Sequence, residues 1–525
     1  MPSYDTIIKA GTLLDGTGKE PVLSDIGING NQISALGDLR GAKADRIIDA
    51  YGKYVTPGFI DITNHSDTHL TIFKYPGLES LVMQGITTII GGNCGASLAP
   101  LGSKEAINAV QKWTDLSEIN IDWAEMSEFL ETMDRLRPEV NFGTLVGYGT
   151  VRRGVLGDEV RLLNDEEKQK IKLLIKKGLA GGAWGMSLGL AYGHERVSTT
   201  EEIIDICKIL EGEGAIINLH LRSEGKDLIA SVNEAISISR ETGIPIHINH
   251  LKAIGKKSWP LLKKALTLIE NAVNSGLDIT FDVSPYNATG SPLYLLIPAW
   301  AREGGFVELF RRIDNTTEHQ KIIDELKTYT LHYDKILVVA ANVKSVVGKT
   351  VAEVATHAQL PPEEAMLELI RANEGRVTIS GRTIHSKNME LASCSPHSFI
   401  ASNGEGYSPE EAKTGNLVHP RSFGTFPHFW HYFVTDKKLL GPEKAIVKMT
   451  SGPAKKLGIK NRGVIAKDNF ADITVLDPGL LRDRATYKNP YRYSDGINYV
   501  LVNGKIAVEE GKYIGARAGI VLRKS

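Results

Sequence analysis

Short apolar runs recur along the middle of the chain, and helix-length segments separate them. The eight runs lie at 57–61, 87–95, 142–149, 183–189, 216–222, 245–252, 278–286 and 398–404. Runs that are apolar on both faces are typical of buried parallel strands, and patterns such as DEEKQKIKLLIKKGLA indicate helices between them. Eight strand–helix units predict an α/β fold, a closed (β/α)8 barrel of the TIM type, whose catalytic face carries the polar residue that ends each run.

The two ends of the chain show another pattern, in which short β-like runs alternate with Gly, Asn and Asp turns. The same pattern returns near the C-terminus, up to the run AGIVLRKS at 518–525. We therefore expect residues 1–56 and 456–525 to form one small β-sandwich domain beside a barrel domain of residues 57–455. About 110 residues separate the seventh and eighth runs and include a strand-like stretch at 335–342, so the sequence predicts an insertion at about 287–345.

Composition narrows the class of partner. The chain has 525 residues, 42% of them hydrophobic, and its 61 basic and 62 acidic residues give a net charge of −1. With charges so evenly balanced, the protein has no net positive field that would attract nucleic acid or an anionic membrane. This favours a small-molecule ligand. No stretch approaches a membrane span, the first residues do not resemble a signal peptide, and three widely spaced cysteines suit a reducing compartment. We expect a cytoplasmic protein, and a homo-oligomer is compatible with the sequence.

Three residues with sulfur or imidazole donors end three of the eight runs. Cys94, His220 and His250 end the second, fifth and sixth runs, so a barrel would bring them to one rim. Any one of them could be an ordinary core residue, but three coinciding strand ends argue against that for the set. One Cys and two His favour zinc and leave a fourth position for water, as in catalytic sites. The sequence therefore predicts one tightly bound Zn²⁺.

His65 lies just beyond the first run, in PGFIDITNHSD. A histidine there could join the metal face, or it could cap a turn through a hydrogen bond. The sequence leaves both interpretations open.

Six longer motifs extend these candidates over nearly the whole chain, between DGTG at 15–18 and VNGK at 502–505. They are NCGASLAP at 93–100, SLGLAY at 187–192, INLHLRSEG at 217–225, INHLKAIG at 248–255, HPRSFGTFP at 419–427 and MTSGPAKKLGI at 449–459. In these motifs the chain resembles the D-aminoacylase (N-acyl-D-amino-acid deacylase) branch of the amidohydrolase superfamily. The resemblance implies a (β/α)8 barrel with a flanking β-sandwich, an insertion after the seventh strand, and zinc held by Cys94, His220 and His250.

Two positions depart from the family pattern. The family's His-x-His appears here as Thr63-Asn64-His65, which removes one imidazole and would weaken a second metal site. The family's Ser-Asp-Gly in the eighth run appears as Ser402-Asn403-Gly404. The resemblance implies that this aspartate takes a proton from water and later protonates the leaving amine. Asparagine cannot do so near neutral pH, so Asn403 is a catalytic position without its catalytic group.

A single-metal centre would then need another proton shuttle. The candidates are His65, Glu224 in HLRSEG and His194 in AYGHER, each of which could equally be a structural or solvated side chain. The sequence does not choose among them.

For the substrate, the resemblance implies an N-acylated D-amino acid. Its carboxylate would be held by Lys252, Tyr192 and an arginine near the mouth, for which Arg382 is our candidate, although a lone Lys or Arg could be a surface charge. Asp282 and Tyr286, in DITFDVSPY, match a family segment near the barrel mouth. We expect them to orient ligands or substrate, while a loop cap is the alternative for the aspartate.

The leading hypothesis is a zinc-dependent amidohydrolase that uses metal-activated water on the amide of N-acyl-D-amino acids or related N-acyl compounds. Loss of the aspartate at Asn403 leaves two alternatives. The first is a repurposed enzyme that catalyses another amide or C–N reaction, such as condensation or cyclisation. The second is a non-catalytic descendant that binds an acylated amino acid.

Overall fold

A computed structural model describes residues 3–110, 119–329 and 331–524. The strands are β1 (Ser3–Leu13), β2 (Val22–Asn29), β3 (Gln32–Gly37), β4 (Lys43–Asp49), β5 (Tyr54–Pro57), β6 (Phe59–Asp61), β7 (Ile86–Gly91), β8 (Asn141–Thr144), β9 (Val146–Gly147), β10 (Gly185–Gly189), β11 (Ile216–His220), β12 (Ile246–Ile248), β13 (Ile279–Val283), β14 (Thr289–Pro292), β15 (Ile336–Ala341), β16 (Val377–Gly381), β17 (Ser398–Ile400), β18 (Ile473–Leu476), β19 (Ile497–Val502), β20 (Lys505–Glu509) and β21 (Lys512–Tyr513).

The helices lie mainly between the barrel strands and in the segment that precedes β17. They are α1 (Thr71–Lys74), α2 (Glu79–Val82), α3 (Met126–Leu136), α4 (Tyr148–Leu156), α5 (Asp165–Ala180), α6 (Gly193–Arg196), α7 (Thr200–Cys207), α8 (Leu228–Thr242), α9 (Leu261–Asn274), α10 (Ala299–Arg302), α11 (Gly305–Asp314), α12 (Thr316–Thr328), α13 (Val351–Ala358), α14 (Pro362–Ala372), α15 (Ser386–Cys394), α16 (Arg421–Phe429), α17 (Pro442–Met449) and α18 (Ser451–Leu457). Over the described ranges, none of the helices has the length and apolar character needed to cross a lipid bilayer.

Both ends of the chain meet in one sheet. Its strands run in the order β21-β20-β19-β18-β5-β1-β2-β3, and β4 also pairs with β1. The junction is β5, which is parallel to β1 and antiparallel to β18. The predicted terminal sheet domain is therefore present, whereas its boundaries at 56 and 456 stay predictions.

The last run, AGIVLRKS, does not join this sheet as predicted. Residues 518–524 of this run lie against the barrel, where Phe142 N donates to Ile520 O at 3.0 Å and Leu522 N donates to Phe142 O at 2.7 Å. The run is too short and too apolar to reveal from the sequence which of two neighbouring sheets it borders.

The eight predicted barrel runs all contain strands. β6, β7 and β8 pair in parallel, and β9 to β13 and β17 form a second parallel series. Only Leu145 separates β8 from β9, so one chain segment joins the two series. The gap between β17 and β6 is bridged just beyond the strands, where Asn403 N donates to Thr63 O at 2.9 Å. This is the expected (β/α)8 arrangement, and it places residues 63 and 403 side by side.

The insertion between β13 and β17 is longer than predicted. It contains the antiparallel sheet β14-β16-β15 and helices α10 to α14, packed around a separate apolar core. The run at 335–342 is confirmed as β15, but the limit at 345 was wrong because β16 is the central strand, paired with both β14 and β15. Its residues Val377–Gly381 follow two helices, so nothing in the local pattern connects them to β14.

A buried ion pair fixes two helices beside the barrel. Arg152 Nη1 of α4 lies 2.6 Å from Glu202 Oε1 of α7, with 0% and 5% of the two side chains exposed. We expect Arg152→Met to lower the free energy of unfolding by about 3–5 kcal/mol, because it leaves Glu202 buried without its partner. Urea unfolding measures this change.

The matched control is Lys170→Met, which breaks an ion pair whose Lys170 and Glu166 side chains are 59% and 78% exposed. It should change the stability by no more than about 1 kcal/mol. Equal effects of the two substitutions would contradict the assignment of stability to the buried pair.

Candidate metal centre and active site

The three predicted zinc ligands converge at the carboxyl end of the barrel. Cys94 follows β7, His220 ends β11 and His250 follows β12. Their ligand atoms all lie within 4.8 Å of one another, and all three residues are buried. Cys94 Sγ is 3.4 Å from His250 Nε2. The barrel thus brings together residues that are 156 positions apart in the chain.

The environment of His250 prepares its ring to bind a metal. His250 Nδ1 lies 2.9 Å from Glu224 Oε1, which can only accept, so we assign the ring proton to Nδ1. Lys252 Nζ is also 2.9 Å from Nδ1, but it donates to the same Glu224 oxygen and to His250 O. Burial lowers the pKa of His250 well below its ordinary value. The ring is neutral, and its Nε2 lone pair faces Cys94.

Three residues of the site adopt left-handed backbone conformations. The φ angles are +55° at Cys94, +40° at His250 and +49° at Asn403. Such conformations are strained for non-glycine residues and persist only where surrounding contacts hold them. At His250 the holding contact is Asp282 Oδ1, which accepts from the His250 backbone N at 2.9 Å.

Asp282 also links several strands beneath the site. Its Oδ2 accepts from Thr63 Oγ1 at 2.7 Å and lies 2.9 Å from His247 Nε2. Asn249 Nδ2 donates to Thr63 Oγ1 at 2.7 Å. Thr63 therefore links the end of β6 to β13 and to the end of β12 through hydrogen bonds, at the position where the resemblance implies an imidazole.

His65 lies on the metal face, next to Asn403. His65 Nε2 is 2.9 Å from Asn403 Oδ1 and 3.9 Å from Cys94 Sγ. Burial lowers the pKa of His65 to about 4, so its ring is neutral near pH 7. Because an amide oxygen only accepts, Nε2 carries the ring proton in this contact.

Comparison with known proteins identifies the family. The model of the amidohydrolase family described as Amidohydro_3 matches residues 46–210 and 404–508. The chain belongs to the amidohydrolase family. The D-aminoacylase of Alcaligenes xylosoxydans xylosoxydans is 30% identical over 99% of this chain and 98% of the relative. The resemblance inferred from the six motifs is confirmed.

Two solved structures share the complete fold of this amidohydrolase. N-acyl-D-glutamate deacylase from Bordetella bronchiseptica, complexed with zinc and a phosphonate mimic of the tetrahedral intermediate, matches with a TM-score of 0.85 and 26% identity, over 99% of this chain and 100% of the other. A D-aminoacylase with a binuclear metal centre matches with a TM-score of 0.83 and 29% identity over the same shares. The barrel with its separate sheet domain is therefore an amidohydrolase fold.

A carboxylate that the sequence patterns did not predict lies two residues after Asn403. Glu405 has a side chain that is only 7% exposed, and its Oε1 lies 3.5 Å from His69 Nδ1 and 3.9 Å from Arg421 Nη2. Its Oε2 accepts from Ser422 Oγ at 2.9 Å. Burial opposes ionisation, but His69, Arg421, His65 and the hydrogen bond from Ser422 together outweigh it, so the pKa of Glu405 is below its ordinary value. Because burial also lowers the pKa of His69, Arg421 rather than His69 supplies the positive charge near pH 7. The signal in the sequence was a glutamate two residues after the lost aspartate.

The site opens into a cavity of about 550 Å³ between the barrel mouth and the insertion. Among the residues predicted to contact the substrate, Tyr192, Lys252 and Tyr286 line this cavity. The Tyr192 and His220 rings are 5.0 Å apart. Glu224 also lines the cavity, whereas His194 is not part of its described wall.

Arg382, predicted as the carboxylate-binding arginine, does not line the described cavity. Arg382 is exposed at the end of β16, where its backbone N donates to Lys335 O at 3.3 Å, and the described cavity wall does not include it. Arg421, the first residue of α16, lines the cavity instead, and its Nη1 donates to Gly290 O at 3.4 Å. The local sequence pattern around the two arginines does not show which of them reaches the cavity.

Proposed function

We propose that this amidohydrolase is a zinc-dependent deacylase that hydrolyses the amide bond of N-acyl-D-amino acids. The observation that carries the proposal is the cluster of Cys94, His220 and His250 at the cavity, with ligand atoms within 4.8 Å of one another. Full-length similarity to D-aminoacylase supports the reaction class. Condensation, cyclisation or binding without turnover is not favoured, since the full-length relatives are deacylases.

The donor set fits a single tightly held zinc ion. One thiol and two imidazoles, with the His250 tautomer fixed by Glu224, match a catalytic zinc site that keeps one open position. The hydroxyl of Thr63 is bonded within the barrel, and Asn403 offers an amide where the family has a carboxylate. Both changes disfavour a second ion. When bound, zinc polarises a carbonyl and lowers the pKa of water towards 7.

Two cationic side chains hold the substrate carboxylate in this proposal. Arg421 presents a guanidinium that can form a bidentate pair, and Lys252 adds an ammonium group on the Glu224 side. Tyr192 and Tyr286 border the same space, and Asp282 positions His250 through its backbone N–H. The scissile amide is then directed to the Cys94 cluster.

Glu405 replaces the proton shuttle lost at Asn403. Its carboxylate lines the cavity, and neighbouring groups that include Arg421 and Ser422 keep its pKa below the ordinary value. Glu224 is a weaker candidate because its Oε1 already accepts from His250 and Lys252. In the reaction an O–H bond of water breaks, its proton moves to Glu405, and the hydroxyl oxygen bonds to the amide carbon. The C–N bond then breaks, and Glu405 returns the proton to the amine nitrogen.

The direct test measures the metal content of the purified protein together with turnover of N-acetyl-D-methionine and of its L-enantiomer. We expect about one zinc per chain and deacylation of the D-enantiomer. The matched control is protein depleted of metal by a chelator, which should regain turnover when zinc is added. Zinc-loaded protein that cleaves no N-acyl-D- or N-acyl-L-amino acid would overturn the proposal.

A further inference from the structure

The cavity carries more positive charge than the chain as a whole. Its described wall includes eight basic and four acidic side chains, whereas the whole chain has a net charge of −1. Lys252 and Arg421 account for two of these basic groups. The remaining excess lies where the barrel meets the insertion, and one α-carboxylate cannot neutralise it.

Two arginines at this boundary have no carboxylate partner within ion-pair distance among the residues that the structure describes. Arg302 ends α10 of the insertion, and its Nε donates to Ile297 O at 2.9 Å. Arg196 ends α6 of the barrel, and its Nη1 donates to Arg222 O at 3.2 Å. Arg222, by contrast, is neutralised by Glu234 at 2.8 Å.

Both guanidinium groups line the same cavity, and neither side chain is fully exposed. Burial lowers the pKa of Arg302, and the charge of Arg196 contributes further. Burial and the nearby charge of Arg222 lower the pKa of Arg196, while Glu303 and Asp227 oppose this from beyond ion-pair distance. Two partly buried like charges cost free energy, and an anion bound between them would offset that cost.

We propose that Arg196 and Arg302 form a second anion site, which binds a carboxylate of the substrate other than its α-carboxylate. The proposal rests on the function proposed above and adds that the preferred N-acyl-amino acid is a dicarboxylate. Planar guanidinium groups suit a carboxylate because each can form paired hydrogen bonds with it.

The placement of the pair separates it from the first carboxylate site. Arg196 N donates to Tyr192 O at 2.8 Å, and the Tyr192 ring lies beside His220. Arg421 lies near Glu405, on the Asn403 side of the ligand cluster. A substrate that reaches both sites therefore extends across the metal centre. Its second carboxylate belongs either to the amino-acid side chain or to the far end of a dicarboxylic acyl group.

The experiment compares kcat/KM for two matched pairs of substrates. N-acetyl-D-glutamate against N-acetyl-D-glutamine tests the side-chain source, and N-succinyl-D-alanine against N-pentanoyl-D-alanine tests the acyl source. We expect at least a ~10-fold preference for the acid in one pair, as charge-assisted hydrogen bonds confer. Equal kcat/KM for acid and neutral substrate in both pairs would overturn the inference.

Substituting Arg196 and Arg302 one at a time tests whether they cause the preference for the acidic substrate. Arg302→Met and Arg196→Met should each lower kcat/KM for the preferred acid by about 10–100-fold and leave the neutral substrate within about threefold. Arg371→Met is the matched control, since Arg371 is an exposed arginine of the insertion that pairs with Asp314. Unchanged zinc content shows that the variants are folded. If Arg302→Met does not fold, Arg302→Gln takes its place in the comparison. Equal losses on acidic and neutral substrates would contradict the anion site.

Binding separates this inference from the proposed function. If no substrate is hydrolysed, the deacylase proposal fails, and calorimetry with N-acetyl-D-glutamate and N-succinyl-D-alanine then tests the anion site alone. Binding of either compound that Arg302→Met weakens about 10-fold or more would support the site. Absence of binding, or binding that the substitution does not alter, would overturn it.

Discussion

Cys94→Ala is expected to abolish stoichiometric zinc binding and to lower deacylation by at least about 10³-fold. Loss of partners that merely orient a ligand already costs about 10–100-fold in metal affinity, so loss of a ligand should cost more. Without Cys94, only His220 and His250 remain of the cluster found among the described residues, and two ligands fall short of the three that a catalytic zinc site uses. Atomic absorption on dialysed protein and turnover of N-acetyl-D-methionine measure the two effects.

The matched control is Cys394→Ala. Cys394 is a free, partly exposed cysteine at the end of α15, away from the ligand cluster. This variant should keep about one zinc per chain and wild-type turnover. If Cys94→Ala retained zinc and activity, or if both substitutions had the same effect, the assignment of the metal centre would be wrong.

The barrel and its ligand cluster could be predicted because both depend on local patterns. A buried parallel strand is a short apolar run, and the residue that ends it lies at the carboxyl face of a barrel. The strand ends alone are sufficient to predict that Cys94, His220 and His250 lie together. The short distances within the cluster confirm that these three strand ends meet at one place on the barrel.

The errors came from contacts between distant segments. β16 belongs to the insertion only through its pairing with β14 and β15, which lie 36 to 92 positions earlier in the chain. Arg421 rather than Arg382 lines the described cavity, where it contacts Gly290 of β14, 131 positions earlier in the chain. The pKa of Glu405 is lowered by neighbours from other elements, such as Arg421, and no periodicity in the sequence indicates such proximity.

The two departures from the family pattern have different structural consequences. Thr63 is integrated into the barrel, since its hydroxyl donates to Asp282 and accepts from Asn249. Asn403 keeps a contact with the metal face through His65 but has lost the ability to ionise. The first change removes a donor for a second ion, whereas the second creates a need for another carboxylate near the same strand end.

Glu405→Gln is therefore expected to lower kcat by about 10²–10⁴-fold, the usual contribution of a general acid–base group. Glutamine has nearly the same size and can still accept from Ser422, but it cannot hold a proton between the two halves of the reaction. Zinc content should not change, because Glu405 is not one of the clustered ligands. Single-turnover and steady-state rates with N-acetyl-D-methionine measure the loss, and Glu410→Gln, at an exposed glutamate of the same loop, is the matched control.

Restoring the family carboxylate should reverse this loss. In the Glu405→Gln background, Asn403→Asp is expected to recover at least about 10-fold in kcat, since it places a carboxylate next to His65 at the metal face. In the wild-type background the same substitution should change kcat less, because Glu405 already supplies the shuttle. If Asn403→Asp raises kcat only when Glu405 is absent, carboxylates at positions 403 and 405 perform the same proton transfer. A Glu405→Gln variant with wild-type kcat, or a double variant no faster than Glu405→Gln, would instead place the proton shuttle at another group that lines the cavity.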